Sequence, residues 1–226
     1  MKLLSIIIPA YNEEKTIASV LDKVLAQNYG QWQKEIIVVN DCSDDKTGDI
    51  ARTYLDKIRF IEHEKNLGKG SAIKTGLSAS TGDTVIIQDA DLEYDPADIK
   101  LLLDELDKGV ADVIYGSRNL RPERRGYSHY VLGSKILDWL VNIFFWTRLT
   151  DVYTCYKLFR ADVLRKIGIE SQGFEIEMEL TVKTLKMGYK IKEVSIHYYP
   201  RKFSEGKKIR AKDGLKGIWT LLKHRF

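Results

Sequence analysis

The chain has 226 residues, enough for one sizeable α/β domain or two small ones, and its 44% apolar content argues against disorder. A net charge of +4 names no partner by itself, and no uncharged apolar run approaches the roughly 20 residues that a membrane-spanning helix needs. Cys42 and Cys155 have no spaced partners, which excludes a disulfide framework and a zinc site and fits a reducing, cytoplasmic compartment.

The apolar N-terminus is cut short by Pro9, Asn12 and two Glu, and no small-residue cleavage site follows, so it reads as a first strand over 4–8 rather than a signal peptide. Ile17, Val20, Leu21, Val24 and Leu25 then fall on one helical face, with Asn12 as the expected N-cap. Residues 35–41 read as a second buried strand ending at Asp41, followed by a polar loop, a helix through Tyr54 and a short strand over 58–61. Asn66-Leu67-Gly68-Lys69-Gly70-Ser71 runs into a helix. It lacks Walker spacing, but glycine and Lys69 near a helix start suit an anion.

Val85-Ile86-Ile87 reads as a buried strand that stops at Gln88-Asp89-Ala90-Asp91, with Glu93 and Asp95 just beyond. Two carboxylates one residue apart at a strand's carboxyl end, with no thiol or imidazole beside them, suit a hard cation such as Mg2+ or Mn2+. A solvated acidic loop is the plain alternative. Asp95-Pro96 opens a helix, and a strand over 111–115 leads to Gly116-Ser117-Arg118. Strands alternating with helices predict an α/β fold with a mostly parallel sheet and helices on both faces.

The second half differs. Residues 121–127 are polar and basic, a loop in pattern, and 130–149 are helical but apolar nearly all round. Leu132, Ile136, Leu137, Leu140 and Phe144 make one face of that helix. Trp139, Ile143 and Trp146 make another, which needs a neighbouring helix, a partner subunit or a lipid surface. Helical patterns over 175–186 and 213–222 flank a strand over 190–198. From Arg201 onward nine Lys/Arg face two acids, a basic tail suited to phosphates or an anionic membrane. No nucleic-acid-binding module is present, so that partner class is set aside.

The motifs IIIPAYNEE, VVNDCSDDKT, NLGKGSAIKTG, IQDADLEYDP, YGSR, TDVYTCYKLFR and GFEIEMELTVK occur in one order along almost the whole chain. Together they resemble the inverting family 2 glycosyltransferases of GT-A fold, in particular those that charge a polyprenyl phosphate, such as dolichol-phosphate mannose synthases and their glucose and N-acetylglucosamine relatives. The resemblance implies a single domain over 1–226, with a nucleotide-sugar and metal half (1–118) and an acceptor half (119–226). It implies a nucleotide-sugar donor, a polyprenyl or dolichyl phosphate acceptor, Mg2+ or Mn2+, and a peripheral position at the cytoplasmic face of a membrane. The C-terminal transmembrane segments of some relatives have no counterpart.

Residue by residue, Pro9, Tyr11, Asn12, Glu13 and Asp41 match nucleoside positions; Lys69, on chemical grounds alone, is a nucleotide-side candidate that adds positive charge if it lies near the diphosphate. Asp89 and Asp91 match the D-x-D that holds the metal, with Glu93 at a further metal position. Arg118 matches a basic residue near the transferred group and acceptor phosphate. Lys135 (in Ser134-Lys135, where Ser-Arg is usual), Glu179, and Arg201 with Lys207 or Lys208 match acceptor-side positions. Departures at 40–46 and at Thr154-Cys155-Tyr156 leave the sugar and the base open.

Chemistry leaves two acceptors open. A hydroxyl acceptor needs a general base, for which Asp151, near an expected strand start, is the candidate, although it can equally orient the Tyr153-Thr154 turn. A phosphate acceptor is already ionised and needs cations instead. A third reading, of another class, is a non-catalytic nucleotide-binding module that docks on membranes. Glu175 and Glu177 read as solvated helix residues, Glu179 as an i+4 partner of Lys183, and the four histidines show no metal-ligand spacing.

Overall fold

Strands with apolar residues on both sides dictate a sheet covered on both faces. The computed structural model describes the backbone of residues 2–120, 128–201 and 211–226, and the side chains of 2–120, 133–201 and 213–226. Its strands are β1 (Lys2–Ala10), β2 (Trp32–Asn40), β3 (Arg59–Glu62), β4 (Thr84–Ile87), β5 (Val113–Ser117), β6 (Lys157–Arg160) and β7 (Ile191–Ser195). The helices are α1 (Ile17–Ala26), α2 (Thr47–Arg52), α3 (Lys69–Ala79), α4 (Ile99–Asp107), α5 (Ser128–Phe145), α6 (Ala161–Ile167), α7 (Ile176–Lys186) and α8 (Ala211–Arg225).

The strands form one sheet in the order β3-β2-β1-β4-β6-β5-β7. Ile6, Ile8, Ile86, Ile114 and Leu158 pack with α1 and α4 on one face. Ile7, Val85, Ile87, Val113 and Phe159 pack with α3, α6 and α7 on the other. Residues from α5, α7 and α8 close a third cluster around Leu137, Val141, Met178, Val182 and Leu221.

Pro9 sits in the central strand without cost. Residues 8 and 10 of β1 turn their polar groups to β2, as Asp41 N–H donating to Ala10 O shows, so Pro9 faces the β4 side, where pairing has already ended at Ile7–Ile87. At Asp95 the expected cap forms: Ala97 N–H donates to its side chain, and Pro96 opens a short 3-10 turn, Pro96–Asp98, that leads into α4. The expected cap at Asn12 does not form, because α1 starts five residues later with Thr16 before it, and Asn12 takes a positive φ of 50°.

The sheet differs from expectation in one place. Strand β6 runs antiparallel between β4 and β5, and α6 follows it. Four residues that begin with a buried lysine carry no periodicity to announce a strand. Its direction matters for the site: the amino end of β6, with residues 150–156, lies at the carboxyl ends of β4 and β5. Strand β7 stands three places from β4, and the chain after it crosses back, where Tyr198 bridges Tyr94 and Tyr199 N–H donates to Glu93 O. The 121–127 loop and Lys207 and Lys208 lie outside the described residues.

Candidate active site

The carboxyl ends of the parallel strands β1, β2 and β4 deliver residues 10–13, 40–43 and 88–93 to one rim, where ligands of open α/β sheets bind. The 89–93 turn is held from both sides. Thr16 Oγ1 donates to Ala90 O at 2.7 Å, and Leu92 takes a positive φ of 62°. That bend lets Glu93 N–H donate to Asp91 Oδ1 at 3.1 Å.

The two acids of the motif sit in opposite electrostatic settings. Burial pushes Asp89 up, but Lys69 Nζ at 2.8 Å outweighs it and holds the carboxyl below the usual range. Burial, Asp89 and Glu93 together push Asp91 up to about 7, with Arg201 pulling the other way. A buried carboxyl among like charges favours a bound cation, and oxygen donors without thiol or imidazole suit Mg2+ or Mn2+. Asp91 and Asp89 therefore fit the implied metal.

Glu93, the further ligand the resemblance implies, already accepts a hydrogen bond on each carboxylate oxygen. Tyr198 Oη donates to its Oε2 at 2.8 Å and Arg201 N–H to its Oε1 at 2.8 Å. Both oxygens serve to tie the post-β7 segment to the metal motif. Among the described residues, the group of three potential ligands whose donor atoms all lie within 4.8 Å of one another is Glu170, Glu179 and His224. Lys183 and Lys223 already neutralise it.

Behind Asp89 runs a ladder of alternating charge. Lys69 Nζ lies 3.1 Å from Glu177 Oε1, without the alignment of a hydrogen bond, and Glu177 Oε2 takes Lys157 Nζ at 2.5 Å. Lys157 is fully buried, donates to Thr154 O and stands 4.9 Å from the Tyr115 ring centroid. Removing one member of a buried pair costs about 3–5 kcal/mol, since the other charge stays behind. Glu177 is thus no solvated helix residue. The signal was present in GFEIEME: acids at 175, 177 and 179 spread around a helix, so they cannot all face water. Beside the ladder, Cys155 has its thiol pushed up by burial and by Asp89, which removes it as a nucleophile.

Asp151 is not placed as a free base, and it lies in the loop between α5 and β6 rather than at a strand start. Arg118 donates to it three times: N–H to Oδ2 at 2.9 Å, Nε to Oδ2 at 2.7 Å and Nη2 to Oδ1 at 2.7 Å. Both carboxylate oxygens are engaged and the residue is buried. Asp151 orients Arg118, whose guanidinium also stands 5.1 Å from the Tyr198 ring centroid. Glu193 supports the pair by accepting from Thr150 and Asp151 N–H groups at 2.9–3.0 Å.

On the nucleotide side, Tyr11 reaches Asp44 at 3.4 Å, while Asn12 and Ser43–Asp44 exchange two bonds of 2.9 Å. Arg201 crosses from the far edge of the sheet to this rim. Its Nη2 pairs with Glu13 at 2.7 Å and its Nε donates to Asp91 O at 2.7 Å. Arg201 therefore stands between the nucleotide loop and the metal motif. Lys135 is exposed on α5.

The glycine loop turns its first N–H groups to a carboxylate of the chain itself. Asp41, itself buried, accepts from Leu67 and Gly68 N–H at 2.9 and 2.7 Å and from His63 Nδ1 at 2.7 Å, so the start of α3 already has its carboxylate. Gly70 N–H donates to Gln172 O at 2.7 Å. A Cβ at Gly70 would lie 2.1 Å from Ser171 O, so glycine is required by backbone packing rather than by phosphate approach. Glu179 holds the other side of this contact, accepting from Glu170 and Ser171 N–H at 2.8 and 2.7 Å and pairing with Lys183 at 2.6 Å. It supports the loop rather than meeting solvent.

Comparison with known proteins fits this geometry. Residues 5–168 match the sequence profile described as Glycosyl transferase family 2. Glycosyltransferase AglD of Haloferax volcanii is 27% identical over 212 residues, covering 87% of this chain and 33% of that protein. Dodecaprenyl-phosphate galacturonate synthase of Rhizobium johnstonii is 28% identical over 173 residues, covering 74% of this chain and 50% of that protein. An uncharacterised protein of Methanocaldococcus jannaschii is 31% identical over 208 residues, covering 85% of this chain and 87% of that protein. The chain thus spans a third to a half of the length of the first two. Glucosyl-3-phosphoglycerate synthase from Mycobacterium tuberculosis, solved with Mn2+, UDP and phosphoglyceric acid, superposes with a TM-score of 0.78 at 22% identity, covering 99% of this chain and 78% of that one. Its complex with Mg2+ and UDP superposes at 0.77 and 23% identity, covering 99% and 79%. The fold is that of the GT-A glycosyltransferases.

Proposed function

Because the chain belongs to glycosyl transferase family 2, we propose that it moves a hexose from a nucleotide sugar to a polyprenyl or dolichyl phosphate, inverting the anomeric carbon, at the cytoplasmic face of a membrane. The observation that carries the acceptor is the closed Arg118–Asp151 fork. A hydroxyl acceptor needs a base, and the candidate base is fully engaged. A phosphate acceptor is ionised at neutral pH and needs only to be positioned by cations. The galacturonate synthase relative, whose name carries a dodecaprenyl phosphate, supports the same acceptor class.

Asp91 and Asp89 would hold Mg2+ or Mn2+, which supplies Lewis-acid stabilisation of the leaving nucleoside diphosphate. The Mn2+ and Mg2+ complexes of the structural neighbours support such an ion. Lys69, held on Asp89, and Arg201, held on Glu13 and the Asp91 carbonyl, add positive charge where the leaving group's charge develops. Pro9, Tyr11, Asn12 and Glu13 line the nucleoside side, with Asp41 organising the loop beside them. Arg118 has its orientation fixed by Asp151 before substrate arrives, and its Nη1 edge is not used by that fork. It receives the acceptor phosphate on the face opposite the leaving group, which yields inversion.

The test supplies labelled GDP-mannose, then UDP-glucose and UDP-N-acetylglucosamine, with polyprenyl phosphate and Mn2+. Label is expected in the organic phase and is lost with Asp91→Ala. Transfer only to a soluble hydroxyl acceptor would refute the lipid phosphate.

A further inference from the structure

Helices α5 and α8 pack together over Leu137, Val141, Leu221 and Ile218, yet each also turns a second apolar stripe to solvent. On α5 and its C-terminal cap the stripe is Ile136, Trp139, Ile143 and Trp146, spaced at three and four residues. On α8 it is Leu215, Trp219 and Leu222, continued with the same spacing by Phe226 just after the helix. Trp139 is 61% exposed, Trp219 67%, Phe226 85% and Trp146 94%. The stripes meet where Phe226 packs edge-on against Phe144, ring centroids 6.0 Å apart, and Arg225 covers Phe145 at 5.0 Å. Three exposed indoles on two adjoining helices lie beyond the scatter of single apolar residues that a monomer surface normally shows.

Charge decides the occupant. Among the described side chains of 133–148 and 213–226, the two acids, Asp138 and Asp213, are both buried. The exposed charges there, Lys135, Arg148, Lys216 and Lys223, are all positive. Glu170, bordering α8, is neutralised by Lys183 and Lys223. A second copy placed on this face would oppose like charges, whereas an anionic bilayer complements them, and indole side chains favour the headgroup boundary. Among the described residues no helix is long and apolar enough to cross a membrane, so contact would be in the plane of the surface.

We propose that the α5/α8 face is a docking surface for an anionic lipid bilayer, with Trp139, Trp146 and Trp219 inserted at the headgroup boundary and the surrounding Lys and Arg on lipid phosphates. This deepens the function proposed above and rests on it only for the membrane setting. A lipid surface is where a polyprenyl phosphate is presented, and α5 reaches the acceptor side of the site, since Asp138 accepts from Val152 N–H at 2.8 Å beside Asp151.

The experiment is vesicle co-sedimentation of the full chain, with phosphatidylcholine alone and with about 30 mol% phosphatidylglycerol, at low and high salt. Binding is expected to the anionic vesicles, with a blue shift of indole emission, and to weaken with salt. Trp139→Ser/Trp146→Ser/Trp219→Ser should lose about tenfold or more of the partition coefficient. Lys216→Glu should lose several-fold on anionic vesicles only. These substitutions lie at exposed positions, so the unfolding temperature should stay close to the parent's and separate lost docking from lost fold. Equal binding by parent and triple variant overturns the proposal, as does a parent dimer that the triple variant converts to monomer without vesicles. Vesicle binding without transfer to any polyprenyl phosphate refutes the acceptor and leaves the surface standing. Transfer in detergent without vesicle binding does the reverse.

Discussion

Replacing Asp151 by Asn separates an orienting carboxylate from a catalytic base. The substitution keeps the volume but removes the negative charge and turns an amide N–H toward Nε or Nη2 of Arg118, each now 2.7 Å from a carboxylate oxygen. Breaking a buried ion pair costs about 3–5 kcal/mol. The Arg118 side chain keeps 20% exposure and regains some hydration, which places the loss near the lower end, about 3 kcal/mol. For a chain of this length that lowers Tm by about 6–12 °C. A mobile Arg118 should raise the acceptor KM about tenfold to a hundredfold, with a smaller change in kcat and an unaltered shape of the kcat–pH profile. Calorimetry and steady-state kinetics across pH read these quantities. A variant of parental Tm whose kcat falls about a thousandfold and whose profile loses its acidic limb would show Asp151 to be the base and refute the fork as its role.

Three further outcomes follow from the site. Because Asp91 is held at about 7, Mn2+ must displace a proton below that value and none above it. Mn2+ affinity, measured by titration calorimetry, should therefore fall about tenfold per pH unit below about pH 7 and level off above it. A flat dependence would remove Asp91 from the metal. Gly70→Ala places a Cβ 2.1 Å from the Ser171 carbonyl, so the 170–173 loop must yield; a loss of about 1–3 kcal/mol in denaturant unfolding is expected, and parental stability would contradict the packing. Glu177→Leu strands Lys157 and should cost about 3–5 kcal/mol, much of it recovered when Lys157→Met is added; a cycle with no coupling would break the ladder.

Much of this molecule is legible one residue at a time. Strand β4 is visible as Val85-Ile86-Ile87 because a strand buried on both faces is continuously apolar, and the acids stand out because they interrupt it at the carboxyl end. The Asp95-Pro96 start depends on a local cap and a fixed φ, so it too needs no distant partner. Strand β6 stayed hidden because its fully buried Lys157 looks like a strand breaker until Glu177, twenty residues on, supplies the charge. Asn12 misled for a related reason: it is a good cap by type, but its side chain is used by the facing loop at Asp44.

The ordered motifs along the chain were sufficient for the family, since hydrophobic pattern and short-range chemistry are encoded within a few residues. Which charges are spent and which remain for substrate was decided only by the tertiary structure. Asp41, Glu93 and Asp151 all read as candidate functional acids in the sequence, and each has its oxygens engaged by donors 22 to 108 positions away. A carboxylate's role depends on the field and the partners around it, and those arrive from separate strands and loops. Asp91, burdened by burial and two like charges, is the acid of the motif that the fold leaves in need of a cation.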